Sequence, residues 1–378
     1  MRILVIGGVG FIGSHTVDAL VERGYEVRVL DNLDSQVHAD GKPPAYMNPH
    51  AEYITGDVRD PEALRRSLKA SDAVFYLAAA VGVGQSMYEI RRYVETNVLG
   101  AANFLELLAK EPHSLRKLIV ASSMSIYGEG KYICPLHGTV FPTIRSVAQL
   151  NERAWEMRCP EESDGKNCTA TLSPVATPES KPLNPTSIYA INKRDHEEMF
   201  LTIGRAYHIP TVALRYFNVY GRRQALSNPY TGAVAIFASR LLNGHQPMIY
   251  EDGEQSRDFI HVSDIVRANL LALEKEEANF QALNVGTGNP TTVSTVASSL
   301  ADALGVERAP LVVNRYRAGD IRHCFADINS IRTKLCFEPR VRLVDGIADL
   351  MDWLKSQSGA RDPVNRAHLE LEERGLIQ

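Results

Sequence analysis

The 378-residue chain is short of cysteine, of long apolar runs and of charge of either sign in excess. Its five cysteines (Cys134, Cys159, Cys168, Cys324, Cys336) are an odd number at irregular spacing, which does not make a secreted disulfide framework. No apolar stretch approaches the roughly 18 residues that cross a bilayer, so no membrane partner is expected. The formal net charge of −4 offers no electrostatic footprint for nucleic acid. The apolar run of MRILVIGG ends in a glycine turn, too early for a signal peptide. Asn167-Cys168-Thr169 matches a glycosylation acceptor, which is read as chance in the absence of a secretory signal. These absences lead to the expectation of a soluble, reduced, cytoplasmic protein of one large or two closely joined domains.

What is present begins at the first residues. Arg2 to Ile6 reads as a short buried strand, followed by Gly7-Gly8-Val9-Gly10-Phe11-Ile12-Gly13 and an amphipathic run ending at Gly24. A second strand, Glu26 to Leu30, ends at Asp31. Strand, glycine turn, helix, strand and acid together predict a dinucleotide site. The glycines allow the tight turn and bring backbone amides to a pyrophosphate at the positive end of the helix. Asp31, with Asn32 beside it, would accept from the adenosine ribose, and its charge would repel a 2′-phosphate. NAD is therefore expected rather than NADP.

The alternation continues through Glu52–Thr55, Ala73–Ala78, Lys117–Ala121 and Thr211–Leu214, separated by helical patterns such as Pro61–Leu68 and Glu89–Leu108. This predicts an α/β fold with a doubly wound parallel sheet. After the third strand, Asp57 and Val58 have two readings, either contact with the adenine edge or a plain helix cap before Pro61.

In an open parallel sheet, ligands sit beyond the carboxyl ends of the strands. There, after Lys117–Ala121, comes Ser122-Ser123-Met124-Ser125-Ile126-Tyr127-Gly128. Farther on, IYAINK places Tyr189 and Lys193 one helical turn apart, on the same helix face. A phenol titrates near pH 10 in water. A neighbouring ammonium and a positive nicotinamide would both favour phenolate, and a serine hydroxyl can hold the oxygen whose proton it takes.

With these residues the chain resembles the extended short-chain dehydrogenase/reductase family. The likeness rests on the glycine turn, Leu77-Ala78-Ala79, Asn97-Val98-Leu99-Gly100, the serine turn, Tyr189-xxx-Lys193 and Arg215-Tyr216-Phe217-Asn218-Val219-Tyr220-Gly221. It implies Ser123, Tyr189 and Lys193 as the catalytic set. It also implies cofactor contacts from Gly7, Gly10, Phe11, Ile12, Gly13, Asp31, Asn32, Asp57, Val58, Leu77, Ala78, Ala79, Asn97 and Tyr216, together with Tyr189 and Lys193. In the sugar-nucleotide branch a diphosphate would fall to Asn218, Arg257 and Arg317, since forked guanidinium donors suit it. The plainer alternative pairs the two arginines with Asp258 and Asp320. The implied division is an NAD-binding domain over 1–217, to which 258–285 returns, and a nucleotide-sugar domain from 218–257 and 286–378.

Sugar-nucleotide 4,6-dehydratases carry an Asp-Glu pair directly after the catalytic hydroxyl. Here Met124 and Ser125 stand in those places. A thioether can neither give nor take the proton that elimination needs, which leaves hydride chemistry at C4. The stretches 31–38, 81–90, 122–130 and 152–160 are similar to dTDP-L-rhamnose 4-epimerases. That likeness implies interconversion of dTDP-L-rhamnose and dTDP-6-deoxy-L-talose through a 4-keto sugar. A UDP-hexose 4-epimerase, or a 4-dehydrogenase or reductase that releases its cofactor, is the alternative. Val83, Gln85, Ser86, Ser123 and Ser125 are candidate sugar contacts. The resemblance further implies a homodimer paired through helices over 89–108 and 188–206.

Ser123 and Tyr189 lie farther apart than is usual in the family, so a segment near 131–183 reads as an insertion, rich in Pro, Ser, Thr and Glu and mostly irregular. Its three cysteines, with His137 as a possible fourth ligand, lack a CxxC spacing. Free thiols, with no metal, are the expectation. The charged stretch 357–378 reads as peripheral.

Overall fold

The computed structural model describes residues 1–38, 41–163, 166–355 and 362–378. The side chain of Asn167, in the acceptor-like tripeptide, and residues 357–361 of the tail lie outside the described residues. Seven strands form one parallel sheet in the order Gln281–Val285, Thr211–Tyr216, Lys117–Ser123, Ala73–Tyr76, Arg2–Ile6, Glu26–Asp31, Glu52–Thr55. The inner strands are buried on both faces, which explains their near-continuous apolar runs. Two apolar clusters fill the two sides. One holds Ile3, Val5, Val29 and Leu214, and the other holds Leu4, Tyr76, Phe104 and Phe200. The alternating pattern thus folds as the doubly wound sheet it predicts.

The 19-residue helix Ile188–Ala206 carries the tyrosine and lysine. Ser187 caps it, its hydroxyl accepting from the Ala190 amide at 3.1 Å. Tyr189, Lys193, His196 and Phe200 recur at spacings of four, three and four, so one stripe faces the sheet, and all four are buried. A buried ion pair fixes the height of this helix. Glu197 accepts from Arg215 Nε at 2.9 Å and from Ser122 Oγ at 2.7 Å. Arg215 Nη1 also donates to Tyr127 Oη at 2.6 Å. One carboxylate therefore joins the helix to two adjacent strands.

Four expectations need correction. The helical pattern over 89–108 is three pieces, Ile90–Tyr93, a π-helical stretch Val94–Leu99, and Gly100–Lys110. Asp57 is not the helix cap, because Asp60 takes that place and accepts from the Glu62 amide at 2.9 Å. The insertion is not mostly irregular: Lys131–Cys134, Gly138–Val140 and Ser173–Val175 make a three-stranded antiparallel sheet. Cys134 ends the first of these strands, and an antiparallel bridge between Arg158 and Thr171 folds Cys159 and Cys168 back toward it, so the cysteines are gathered and not scattered.

The tail is not peripheral either. Its helix Val364–Glu373 buries Leu371 against Gly84. Glu370 accepts from Tyr88 and Tyr230, and His368 bonds Tyr250 Oη at 2.6 Å. Ile377 is buried and bridges Arg317. Charge on one helix face masked an apolar stripe on the other.

Glu197→Leu would leave Arg215 charged and uncompensated in a site where both side chains are at most 6% exposed. Breaking one side of such a pair costs about 3–5 kcal/mol. The first urea-unfolding transition of this variant should shift markedly downward. An unmoved midpoint would show that the pair does not hold the helix.

Candidate active site

The loops at the carboxyl ends of the central strands gather the predicted residues. In the glycine turn, a Cβ on Gly13 would stand 2.1 Å from the Gly7 carbonyl oxygen. Gly7 itself, at φ +82°, lies against Ala78, where a Cβ would come within 2.7 Å of the backbone nitrogen. Only glycine fits either place. The turn leads into the helix Phe11–Glu22 with Gly10 at its cap. Its shape matches what a dinucleotide pyrophosphate requires, a backbone cradle with no side chains at a helix N-terminus.

Asp31 closes one end of this cradle. Its two oxygens accept from the Val9 and Leu33 amides, each at 2.9 Å, so the carboxylate is aimed by the turn it serves. Asn32 donates to Asp57 at 3.0 Å. Hydrogen bonding from Arg59 draws the Asp57 carboxyl down to about 2. Val58 is buried in the core beside Gly100. Asn97 lies in the π-helical stretch and holds both backbone groups of Ala80, at 2.8 and 3.1 Å. It thereby orients the Leu77-Ala78-Ala79 strand end.

Ser123, Tyr189 and Lys193 converge. Ser123 is the last residue of its strand, Ser125 Oγ donates to Ser123 Oγ at 2.9 Å, and the Ser123 hydroxyl lies close enough to the Tyr189 phenol to favour its ionised form. Lys193 Nζ donates to the Ala121 carbonyl at 2.9 Å. Burial is the largest influence on both titrating groups. It pushes the Tyr189 phenol up to about 12, against the pull of the Ser123 hydroxyl, and brings the Lys193 ammonium down to about 8. This differs from the expectation of a phenol lowered by its lysine. Desolvation dominates here, so phenolate needs further positive charge beside it. His196, one turn beyond Lys193, is brought down to about 3 by burial and by the Lys193 charge. It is a neutral ring whose Nε2 bonds the Asn97 carbonyl.

Several candidates are engaged elsewhere. Ser86 is fully buried. Its hydroxyl donates to Val83 at 2.6 Å and accepts from the Tyr189 amide at 3.1 Å, so it seats the helix Ile188–Ala206 and is not open to a sugar. Gln85 is buried among Gln36, Glu89 and Tyr93. Tyr216 gives its hydroxyl to Asn269 at 2.6 Å inside the core. Val83 is exposed at the start of the short helix Val83–Ser86, against which the tail helix packs.

Asn218 presents a buried Oδ1 with no partner, an acceptor or amide edge free for a ligand. Arg257 does not pair with Asp258, whose carboxylate accepts from Thr287, Gly288 and Ala326. Its guanidinium instead donates to the carbonyls of Ser256, Arg322 and Ile321. Arg317 does pair with Asp320, at 2.8 Å, and lies over the Tyr250 ring at 4.7 Å. Sequence reasoning missed the Glu197–Arg215 pair. The available signal was a glutamate four residues after Lys193 on the same helix face.

The buried lysine gives a prediction with a sign. Its folded pKa of about 8 lies below the ordinary 10.5, so between those values the unfolded chain holds more protons and stability rises with pH. Below pH 8 the penalty of burying the ammonium is fully present. Lys193→Met should therefore melt at a higher temperature than the parent at pH 7, while losing turnover. The advantage should shrink as pH rises from 8 toward 10.5. A variant less stable at pH 7 would contradict this.

Comparison with known proteins agrees with this geometry. The profile of the NAD dependent epimerase/dehydratase family matches residues 3–145 and 168–286; the unmatched stretch between them contains Cys159. A dTDP-L-rhamnose 4-epimerase of Burkholderia thailandensis is 32% identical over 94% of this chain and 95% of its own. A putative UDP-glucose 4-epimerase of Methanocaldococcus jannaschii is 31% identical over 94% and 99%. Among solved structures, the UDP-glucose 4-epimerase of Thermotoga maritima with UDP-glucose aligns at a TM-score of 0.74 and 32% identity, covering 94% of this chain and 99% of that one. The UDP-glucuronic acid 4-epimerase of Bacillus cereus, in complex with UDP-glucuronic acid and NAD, aligns at 0.75 and 26%, with the same coverage. With the parallel sheet, the glycine cradle and the serine, tyrosine and lysine assembled at its edge, the chain belongs to the NAD-dependent epimerase/dehydratase family.

Proposed function

We propose that this protein inverts C4 of a nucleotide-linked hexose, and that the hexose is the 6-deoxy sugar of dTDP-L-rhamnose, converted to dTDP-6-deoxy-L-talose. The observation that carries the reaction type is the gathering of Ser123, Tyr189 and Lys193 at the strand ends, with Met124 and Ser125 where a dehydratase needs its acid and base. The glycine cradle and Asp31 would hold NAD, which would supply the hydride acceptor and donor for C4. Tyr189 takes the proton from the 4-hydroxyl, and Ser123, aligned by Ser125, holds the oxygen. Lys193 holds positive charge near the phenol and is anchored through Ala121. Its ammonium and the oxidised nicotinamide are the positive charges that favour phenolate in a buried site.

Asn218, Arg257 and Arg317 are the proposed holders of the diphosphate. Asn218 would donate an amide N–H, its Oδ1 being the acceptor that has no partner in the structure, and Arg317 is braced by Asp320 and Tyr250. For the flat 4-keto sugar to be reduced on its other face it must turn within the site. A UDP-hexose is the second reading, because relatives of both nucleotide classes stand at similar identity.

Incubation with a panel of dTDP- and UDP-sugars, without added cofactor and in deuterium oxide, tests substrate and mechanism together. The expected product is 6-deoxytalose with no deuterium on carbon, since the C4 hydrogen never becomes a proton. Deuterium at C3, C5 or the methyl group would mean enolate or elimination chemistry instead. Turnover only of a UDP-hexose would move the assignment to the second reading.

We also propose a homodimer. The helices Gly100–Lys110 and Ile188–Ala206 leave between them a groove of about 420 Å³ lined by Ala102, Leu105, Met199 and Ile203, with Leu99 exposed nearby. A matching pair of helices from a second copy would cover it. Solution mass at micromolar concentration should be that of two chains, and a strictly monomeric mass would exclude this arrangement.

A further inference from the structure

The inserted segment contains a second cluster that the sugar chemistry does not use. Cys134, His137, Cys159 and Cys168 offer one ligand atom each, all within 4.8 Å of one another. The separations are 3.9 Å between Cys134 Sγ and Cys168 Sγ, 3.5 Å from Cys134 Sγ to His137 Nδ1, and 3.4 Å from Cys159 Sγ to the same nitrogen. A tetrahedral zinc ion, with bonds of about 2.3 Å to sulfur and about 2.0–2.1 Å to nitrogen, sets its ligands about 3.8 Å apart for S···S and about 3.5 Å apart for S···N. A disulfide would need about 2.05 Å between sulfurs, and three thiols cannot pair evenly.

The backbone points to the same conclusion. Cys134-Pro135-Leu136-His137-Gly138 is the turn of the Lys131–Cys134 and Gly138–Val140 hairpin, with Gly138 at φ +72°. The three thiols are at most 6% exposed and are themselves a large part of a small core whose other buried members are Tyr132, Val140, Met157 and Leu172. A core of that size needs a staple to hold a fixed shape.

We infer that Cys134, His137, Cys159 and Cys168 bind a structural zinc ion, closed by four protein ligands and leaving no position for catalysis. The metal would fix the segment that brings Arg145 to Glu251, at 2.7 Å, and Glu156 to Arg322 and His323, beside the Ser256–Arg257 strand. Its effect on the active site is therefore one of support, at a distance.

The test uses the full chain. After growth with zinc and thorough desalting, native mass spectrometry should show one zinc per chain. A chain refolded in cobalt(II) should show the intense visible absorption of a tetrahedral thiolate site. With zinc present, a thiol reagent should react quickly with the exposed Cys336 alone. A strong chelator should then release three further thiols. His137→Ala should lose the metal, and His137→Cys, which keeps four ligands, should retain it. The inference is overturned if the folded parent, grown with zinc and also refolded with it, carries no stoichiometric metal. It is equally overturned if its thiols react at the same rate with and without chelator. Metal binding that survives unchanged in His137→Ala would also overturn the four-ligand assignment.

Discussion

The site depends on one buried ion pair, Arg215 with Glu197. Removing two charges from water is costly, and the pair is tolerated because nearly all of the guanidinium N–H groups and both carboxylate oxygens have partners. Ser122 and Tyr127 complete it, and Tyr127 passes the constraint on to Asn284 at 2.7 Å. The carboxylate comes from the helix that holds Tyr189 and Lys193. The guanidinium comes from the strand beside the one that ends in Ser123. A slip of one residue on the helix would rotate Glu197 away from Arg215, and Tyr189 away from Ser123, by the same amount. The pair therefore acts as a register mark.

The low-dielectric surroundings that make this pair exacting also set the character of the reacting groups. Burial raises the phenol and lowers the ammonium, so both lean toward their neutral forms. Such a site resists ionisation until positive charge arrives next to the phenol. The cofactor and the proton transfer are thereby coupled through electrostatics as well as through position.

Much of this was legible in the chain because it is local. The glycine turn, the acid ending the second strand, the Tyr189–Lys193 spacing and the apolar strands each reside within a few residues. Their chemistry permits few alternatives: no other residue fits at Gly13. What escaped was decided by distant partners. Ser86 looks like an open hydroxyl until the Tyr189 amide is found on it, 103 residues away. Tyr216 reads as a site residue until Asn269 takes its hydroxyl. The tail looked like solvated charge because its contacts with Tyr88, Tyr230 and Tyr250 carry no local periodic signal. The cysteines lacked a familiar spacing because one member of the expected pair of sulfurs is a histidine.

The π-helical stretch Val94–Leu99 gives the long helical segment a phase shift. A π turn closes its hydrogen bond one residue later than an α turn, so the stretch contains one residue more than a regular helix would use. Deleting any one residue there would let the hydrogen bonds revert to the α pattern without breaking the helix. The flanks would keep their facing, because the wider turn absorbs its extra residue, so Tyr93, whose hydroxyl holds Gln85, and Phe104, packed in the sheet's core, would both still point inward. The cost would fall on the stretch itself, where Asn97 holds both backbone groups of Ala80 and would be carried out of place. A sequence shortened by one residue there would look like a better helix and would make a worse protein.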